Sequence, residues 1–224
     1  MDVITAIRER HSTRAFLDKP VTLESVEQIL DAARFAASGV NSQPWQVVVV
    51  TGQLIQRIGD VIVEAREHAI PENPDYYYYP REWREPYKSR RKACGLALYS
   101  SIGIGLEDKD KRKTAWYRNY YFFGAPVGLL FFLDRFLEKG SWVDMGLFIQ
   151  NVMLAARGLG LETCPEASLA EYPDRVRDIV GISQDKALVC GMALGYEDKS
   201  QPINQYRTSR EPVQSFTQFL GFLE

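Results

Sequence analysis

The sequence predicts a single α/β domain, and three observations carry that expectation. Short β-branched or apolar runs, Gln46-Val47-Val48-Val49-Val50, Val127-Gly128-Leu129-Leu130-Phe131-Phe132 and Ala187 to Gly195, are bounded by turn residues, as buried strands are. Between them lie longer stretches whose apolar residues recur at helical spacing. No internal repeat, low-complexity segment or linker composition divides the 224 residues, and 46% hydrophobic content is enough to fill one large core.

In chain order, Val3, Ile4 and Ile7 share a face, so residues 2 to 9 read as a helix capped by Asp2. Thr22 opens a second helix with Val26, Ile29, Leu30, Ala33 and Ala37 inward, stopping near Ser38-Gly39. The Gln46 to Val50 run is then expected as a central strand buried on both faces. Leu54, Ile58, Val61, Ile62 and Ala65 mark the next helix. From His68 to Tyr87 the pattern breaks, because Pro71, Pro74, Pro80 and Pro86 exclude a regular helix. Residues 88 to 121 are charged and helix-prone, and Trp142 to Arg157 is a long helix ended by Gly158-Leu159-Gly160. Leu161 to Cys164 is a short strand. Pro173 starts a helix with Val176, Ile179 and Val180 inward, and Gly191 in the last strand marks a close backbone approach. The tail from Ser200 to Glu224, with Phe216, Phe219 and Phe222, has no helix of its own and needs another surface to lie on.

Composition excludes several classes of function. A net charge of −2, from 27 basic and 29 acidic residues, favours neither nucleic acid nor an anionic membrane. Two histidines without an HExxH arrangement leave no evident metal site. Three scattered cysteines, Cys94, Cys164 and Cys190, fit a reducing cytoplasm better than a disulfide framework. Neither a signal peptide nor an apolar run of transmembrane length is visible.

Chemistry concentrates in three places. Arg8, Arg10 and Arg14 stand with Ser12 at the end of the first helix, where guanidinium forks and a hydroxyl can grip one phosphate; a solvated basic helix end is the alternative. Asn41-Ser42-Gln43-Pro44-Trp45 places amide and hydroxyl groups at the mouth of a strand, as a ligand loop or as a plain turn. The aromatic run Tyr76 to Tyr79, with Trp83 and Tyr87, covers either a flat aromatic substrate or a partner subunit, or packs on its own core. Arg84, Arg90 or Arg91 could meet a carboxylate, and the runs containing them read equally as wet helix faces.

Taken in order, Arg10-His11-Ser12-Thr13-Arg14, Asn41 to Trp45, Phe123-Gly124-Ala125-Pro126, Gly158-Leu159-Gly160-Leu161, Gly195-Tyr196 and Arg207 to Pro212 resemble the FMN-dependent nitroreductase family over nearly the whole chain. The resemblance implies a central mixed sheet flanked by helices, in an intertwined homodimer whose C-terminal tail reaches the partner. It implies one domain over 1–224, with a lid or insert at 70–113. Cofactor contacts would come from Arg10, His11, Ser12, Arg14, Arg207 and Arg210 at the FMN phosphate and ribityl end. Ser38, Gly39, Asn41 and Ser42 would reach the flavin of the other subunit, and Pro165, Glu166 and Ala167 would lie against its ring. Tyr76, Tyr79, Trp83, Tyr87, Phe123 and Phe148 are the candidate substrate contacts. The implied activity is two-electron reduction of a nitroaromatic acceptor, a nitrobenzoate being the leading candidate. NADPH or NADH serves as diffusible reductant, and the flavin rather than a side chain carries the chemistry. Reductive dehalogenation, ene or quinone reduction, and non-catalytic FMN binding or storage are the alternatives. Two features depart from the family pattern: Ala167-Ser168 follows Glu166 where a Gly is common, and the proline and tyrosine segment is longer than in minimal members.

Overall fold

The computed structural model describes residues 1–222. Asp2 caps the first helix, α1 (Val3–Glu9), its Oδ1 accepting from the Thr5 amide at 3.0 Å. Thr22 caps α2 (Leu23–Ala33), which buries Val26, Ile29 and Ala33. Ala37 lies beyond this helix rather than in it, because the Ala36 amide bonds the Ala33 carbonyl and tightens the end of the last turn. The remaining elements are β1 (Gln46–Thr51), α3 (Gln53–Glu67), α4 (Tyr87–Ser100), α5 (Lys109–Tyr117), β2 (Val127–Asp134), α6 (Lys139–Gly158), β3 (Glu162–Glu166), α7 (Pro173–Val180) and β4 (Lys186–Gly195).

The strands lie in the order β1-β2-β4-β3, and every neighbouring pair is antiparallel. The sheet is therefore not the mixed one expected; among the described residues the one parallel pairing is an isolated bridge between Ser12 and Thr163. The valine run of β1 is an edge strand, not a central one, with Val50 buried but Val49 38% exposed. A β-branched run reports burial of its side chains more faithfully than its place in a sheet.

Side chains alternate along β2, so one face receives Leu129 and Phe131 and the other Leu130 and Phe132. Helices α2 and α6 cover the first face with Val26, Ile29, Met145 and Val152. Helices α3 and α7 cover the second with Ile58, Ile62 and Val176. Burying both faces of one sheet in this way yields three layers. The ladder between β2 and β4 slips at Phe131/Phe132, so Val189 falls between the paired residues Cys190 and Leu188 as the extra residue of a bulge. Gly191 sits where a Cβ would lie 2.0 Å from Leu169 Cδ1, the close approach its position in the sequence implies.

The segment after α3 is fastened to this core. The Asp75 carboxylate is 3% exposed; its Oδ2 accepts from Arg177 Nη1 at 2.6 Å and from the Leu188 amide at 2.8 Å, while Arg135 pairs with its Oδ1. Tyr172 donates to the Ile70 carbonyl at 2.9 Å, the Asn73 amide to the Glu171 carbonyl at 3.1 Å, and Tyr76 to the Val189 carbonyl at 2.6 Å. Beyond Tyr79 the character changes, since α4 and α5 bury no residue.

Candidate active site

The site is built around the last residues of β3. Alternation along this strand leaves Pro165 exposed and turns Glu166 inward, where it is 2% exposed. Neither Glu166 carboxyl oxygen has a hydrogen-bond partner, and the Ser168 hydroxyl is orphaned beside it. Burial pushes the Glu166 carboxyl well above the usual range, with the Arg14 guanidinium pulling the other way. The same burial raises the Cys164 and Cys190 thiols to about 12, so neither offers a thiolate nucleophile near neutral pH.

Two cavities open on either side of the tyrosine run, and Pro165, Glu166 and Ala167 line both. The first, about 500 Å³, is walled by Tyr76, Tyr78 and Tyr79 and by Trp142, Ile149 and Met153. The second, about 530 Å³, is walled by the same tyrosines with Arg14, Arg91, Trp116 and Asn119. Ring contacts stiffen the wall, Tyr78 packing edge-on to Tyr79 at 4.7 Å and Tyr76 against Trp142 at 4.5 Å.

The basic opening turn divides among different surroundings. Arg14 reaches the second cavity, its Nη1 donating to the Ser12 carbonyl at 3.3 Å and its guanidinium 5.9 Å from the centre of the Phe123 ring. Arg10 is half-buried against Met153; burial, with the neighbouring charge of Arg210, holds its guanidinium below the ordinary value. Neither arginine has a carboxylate within salt-bridge distance among the described residues, whereas Arg66, Arg135, Arg157 and Arg177 all do. Half-buried guanidinium groups without a counter-ion are suited to an anion supplied from outside the chain.

His11 is already engaged. Its Nε2 lies 2.9 Å from Glu197 Oε1 and its Nδ1 3.0 Å from the Glu9 carbonyl oxygen. It lines a separate polar recess of about 520 Å³ with Arg157, Glu162, Glu197 and Arg207, where burial raises the Glu162 carboxyl. Arg207 donates to backbone carbonyls of Asn204 and Tyr206, and Arg210 to Thr208 and Ser209. Residues 206–211 pack on α4, with Arg90 Nε 3.1 Å from Glu211 Oε1.

Ser38, Gly39, Asn41 and Ser42 form a tight turn in which Val40 and Asn41 hold positive φ angles of 49° and 59°. The Gly39 amide donates to Asp144 at 3.2 Å. None of the four lines either cavity at Pro165–Ala167. Of the candidate substrate contacts, Tyr76 and Tyr79 line both cavities, and Trp83 supports Tyr79 from 5.6 Å. Tyr87 is 61% exposed at the start of α4. Phe123 and Phe148 are core residues instead, 4% and 2% exposed. Phe148 stacks on Trp45 at 4.8 Å, which its place on the apolar face of α6 dictates. Sequence reasoning missed the Glu166 side chain, having assigned only its backbone, and it missed Asp75 and Arg177. An inward position at the end of a short strand was the available signal for the first.

Known proteins similar to this chain are consistent in kind. The model of the nitroreductase family matches residues 7–196. A nitrobenzene nitroreductase of Ectopseudomonas oleovorans is 40% identical over 96% of this chain and 95% of its own. A 4-nitrobenzoate reductase of Pseudomonas putida is 37% identical over 99% of this chain and 96% of its own. The crystal structure of an FMN and NADPH-dependent nitroreductase from sphigopyxis sp. strain HMH superposes with a TM-score of 0.96 at 36% identity, covering 99% of this chain and all of that one. With the family model spanning residues 7–196 and relatives 40% and 37% identical over nearly the whole length, this chain belongs to the nitroreductase family.

Proposed function

We propose that the protein is an FMN-dependent oxidoreductase that uses NAD(P)H to reduce nitroaromatic compounds by two-electron steps. The observation that carries this is the shared floor Pro165–Ala167, flanked by the unpaired cation Arg14 on one side and aromatic rings on the other. When bound, FMN supplies the hydride carrier, and the chain supplies its position and field. Arg10, Ser12 and Arg14 would hold the phosphate and ribityl end, with Arg210 close enough for its charge to be felt at Arg10. Backbone groups of Pro165–Ala167 would lie against the ring system. Tyr76, Tyr78 and Tyr79 wall in a flat acceptor and keep water from it. Burial, which raises the Glu166 carboxyl well above its ordinary range, weakens the counter-charge it can set against Arg14 beside this floor.

The protein works as a homodimer. Val40, Phe35, Phe216 and Leu220 are at least 70% exposed, more large apolar surface than an isolated chain usually leaves in water. Asn41 and its neighbours line no cavity at Pro165–Ala167 within one chain, so their contribution comes from the second copy. Among the described residues no helix is long and apolar enough to cross a membrane. Three free cysteines, two of them buried, fit a cytoplasmic location.

Anaerobic stopped-flow mixing tests this reading. The purified yellow protein should bleach rapidly with NADPH or NADH and regain its colour when a nitroarene is added. A flavin-storage protein would hold its colour against both nicotinamides, and a flavin-free preparation that takes up no FMN would overturn the reading altogether.

A further inference from the structure

The second cavity contains two cations and three acids, and their pairing is uneven. Glu72 and Glu171 are both occupied by Arg66, whose Nη2 lies 2.6 Å from Glu72 Oε1 and also contacts Glu171. Glu166 is buried with no accessible oxygen. Of the cations, Arg14 belongs to the half-buried opening turn and folds back on the Ser12 carbonyl. Arg91 remains: it lines the cavity from α4, and no carboxylate lies within salt-bridge distance of it among the described residues.

Its neighbours on the same excursion differ. Arg84 pairs with Glu82 at 3.7 Å, and Arg90 with Glu211 at 3.1 Å. Arg91 is held instead over the Trp83 ring at 5.1 Å, and Trp83 in turn packs on Tyr79 at 5.6 Å. Stacking fixes a guanidinium plane while leaving its edge free to donate, which suits bidentate recognition of a planar carboxylate. The first cavity has no cation in its lining.

We propose that Arg91 is a specificity-determining residue that binds a carboxylate on the acceptor, and that the acceptors this protein favours are nitroarenes bearing such a group. An arene stacked between the flavin on the Pro165–Ala167 floor and the tyrosines would direct its carboxylate toward α4 and its apolar edge toward Tyr76 and Tyr78. The proposal rests on the nitroarene reading above.

Two measurements separate the two ideas. Calorimetric titration of benzoate and benzamide into the FMN-loaded protein needs no turnover. The wild type should prefer benzoate, Arg91→Gln should lose about tenfold of that preference, and Arg91→Lys should keep part of it. An unchanged preference in Arg91→Gln overturns the proposal. In steady state, the ratio of kcat/KM for 4-nitrobenzoate over nitrobenzene should fall about tenfold in Arg91→Gln. A fall confined to the preference for NADPH over NADH would assign Arg91 to the reductant's phosphate and overturn it as well. If neither nitroarene is reduced while benzoate binding still depends on Arg91, the nitroarene reading fails and the carboxylate site stands. Because Arg91 is exposed, both variants should melt like the wild type.

Discussion

Residues 70–79 and residues 80–113 belong to one excursion from the core, yet they are held in opposite ways. The first part is sewn to α7, β4 and the turn after β3 through Asp75, Asn73, Ile70 and Tyr76. The second presents α4 and α5 without a buried residue and relies on exposed pairs such as Arg84–Glu82 and Lys113 with Glu67. Tyr76 to Tyr79 sit at the junction. The tyrosines are therefore a fixed wall, whereas α4, carrying Arg91, is the part of the enclosure least restrained by packing. We propose that only the latter acts as a lid.

The comparison is most sharply tested at Asp75. Asp75→Ala leaves Arg177, whose side chain is 1% exposed, with Asp174 as its one carboxylate and strips the Leu188 amide of its acceptor, and should cost about 3 kcal/mol in urea unfolding. A loss below 1 kcal/mol would mean that this segment is no better anchored than the one after it. Glu166→Gln should act with the opposite sign. Burial raises the native carboxyl above its unfolded value, so the native state binds the extra proton between the two. Stability is then lost as pH rises from the ordinary carboxylate range, near 4.3, toward the native pKa. Gln removes that loss, so the variant should be the more stable, by a margin that widens with pH across this window in thermal melts. Tyr76→Phe removes the donor to Val189 and should cost about 1 kcal/mol, read by the same melts. Arg84→Ala should change stability by less than about 0.5 kcal/mol, since both partners of its pair are exposed. Separately, Arg14→Ala should weaken FMN binding by about 2 kcal/mol, measured by fluorescence titration of the apoprotein.

Much of the fold was legible because local rules and tertiary demand agreed. Asp2 and Thr22 cap the helices their positions announce, and Val26 and Ile29 face inward as their spacing requires. Gly191 betrayed a close approach that Leu169 supplies. Position within the sheet was not legible: the valines of β1 look central, and only pairing partners distant in sequence make that strand an edge. Asp75 was invisible for the same reason, since its partners Arg135, Arg177 and Leu188 are 60 or more residues away. At the site, Arg10, Ser12 and Arg14 stand out in sequence because three bonding groups fall within five positions. His11 was carried along by adjacency and is taken by Glu197 instead. Phe123 and Phe148 were drawn in by aromatic character alone, which does not distinguish a cavity from a core.

One irregularity in the ladder has a reach beyond the sheet itself. β4 carries one residue more than β2 requires at Phe131/Phe132, and it is the carbonyl of that surplus residue, Val189, that accepts from Tyr76. Val189 and Cys190 also face the first cavity. Excising that surplus residue would restore an even zipper of strands while taking away the hook on which the tyrosine wall hangs. The shape of the first cavity is thus written into a miscount between two strands, and a relative with a regular ladder there would have to fasten its wall by other means.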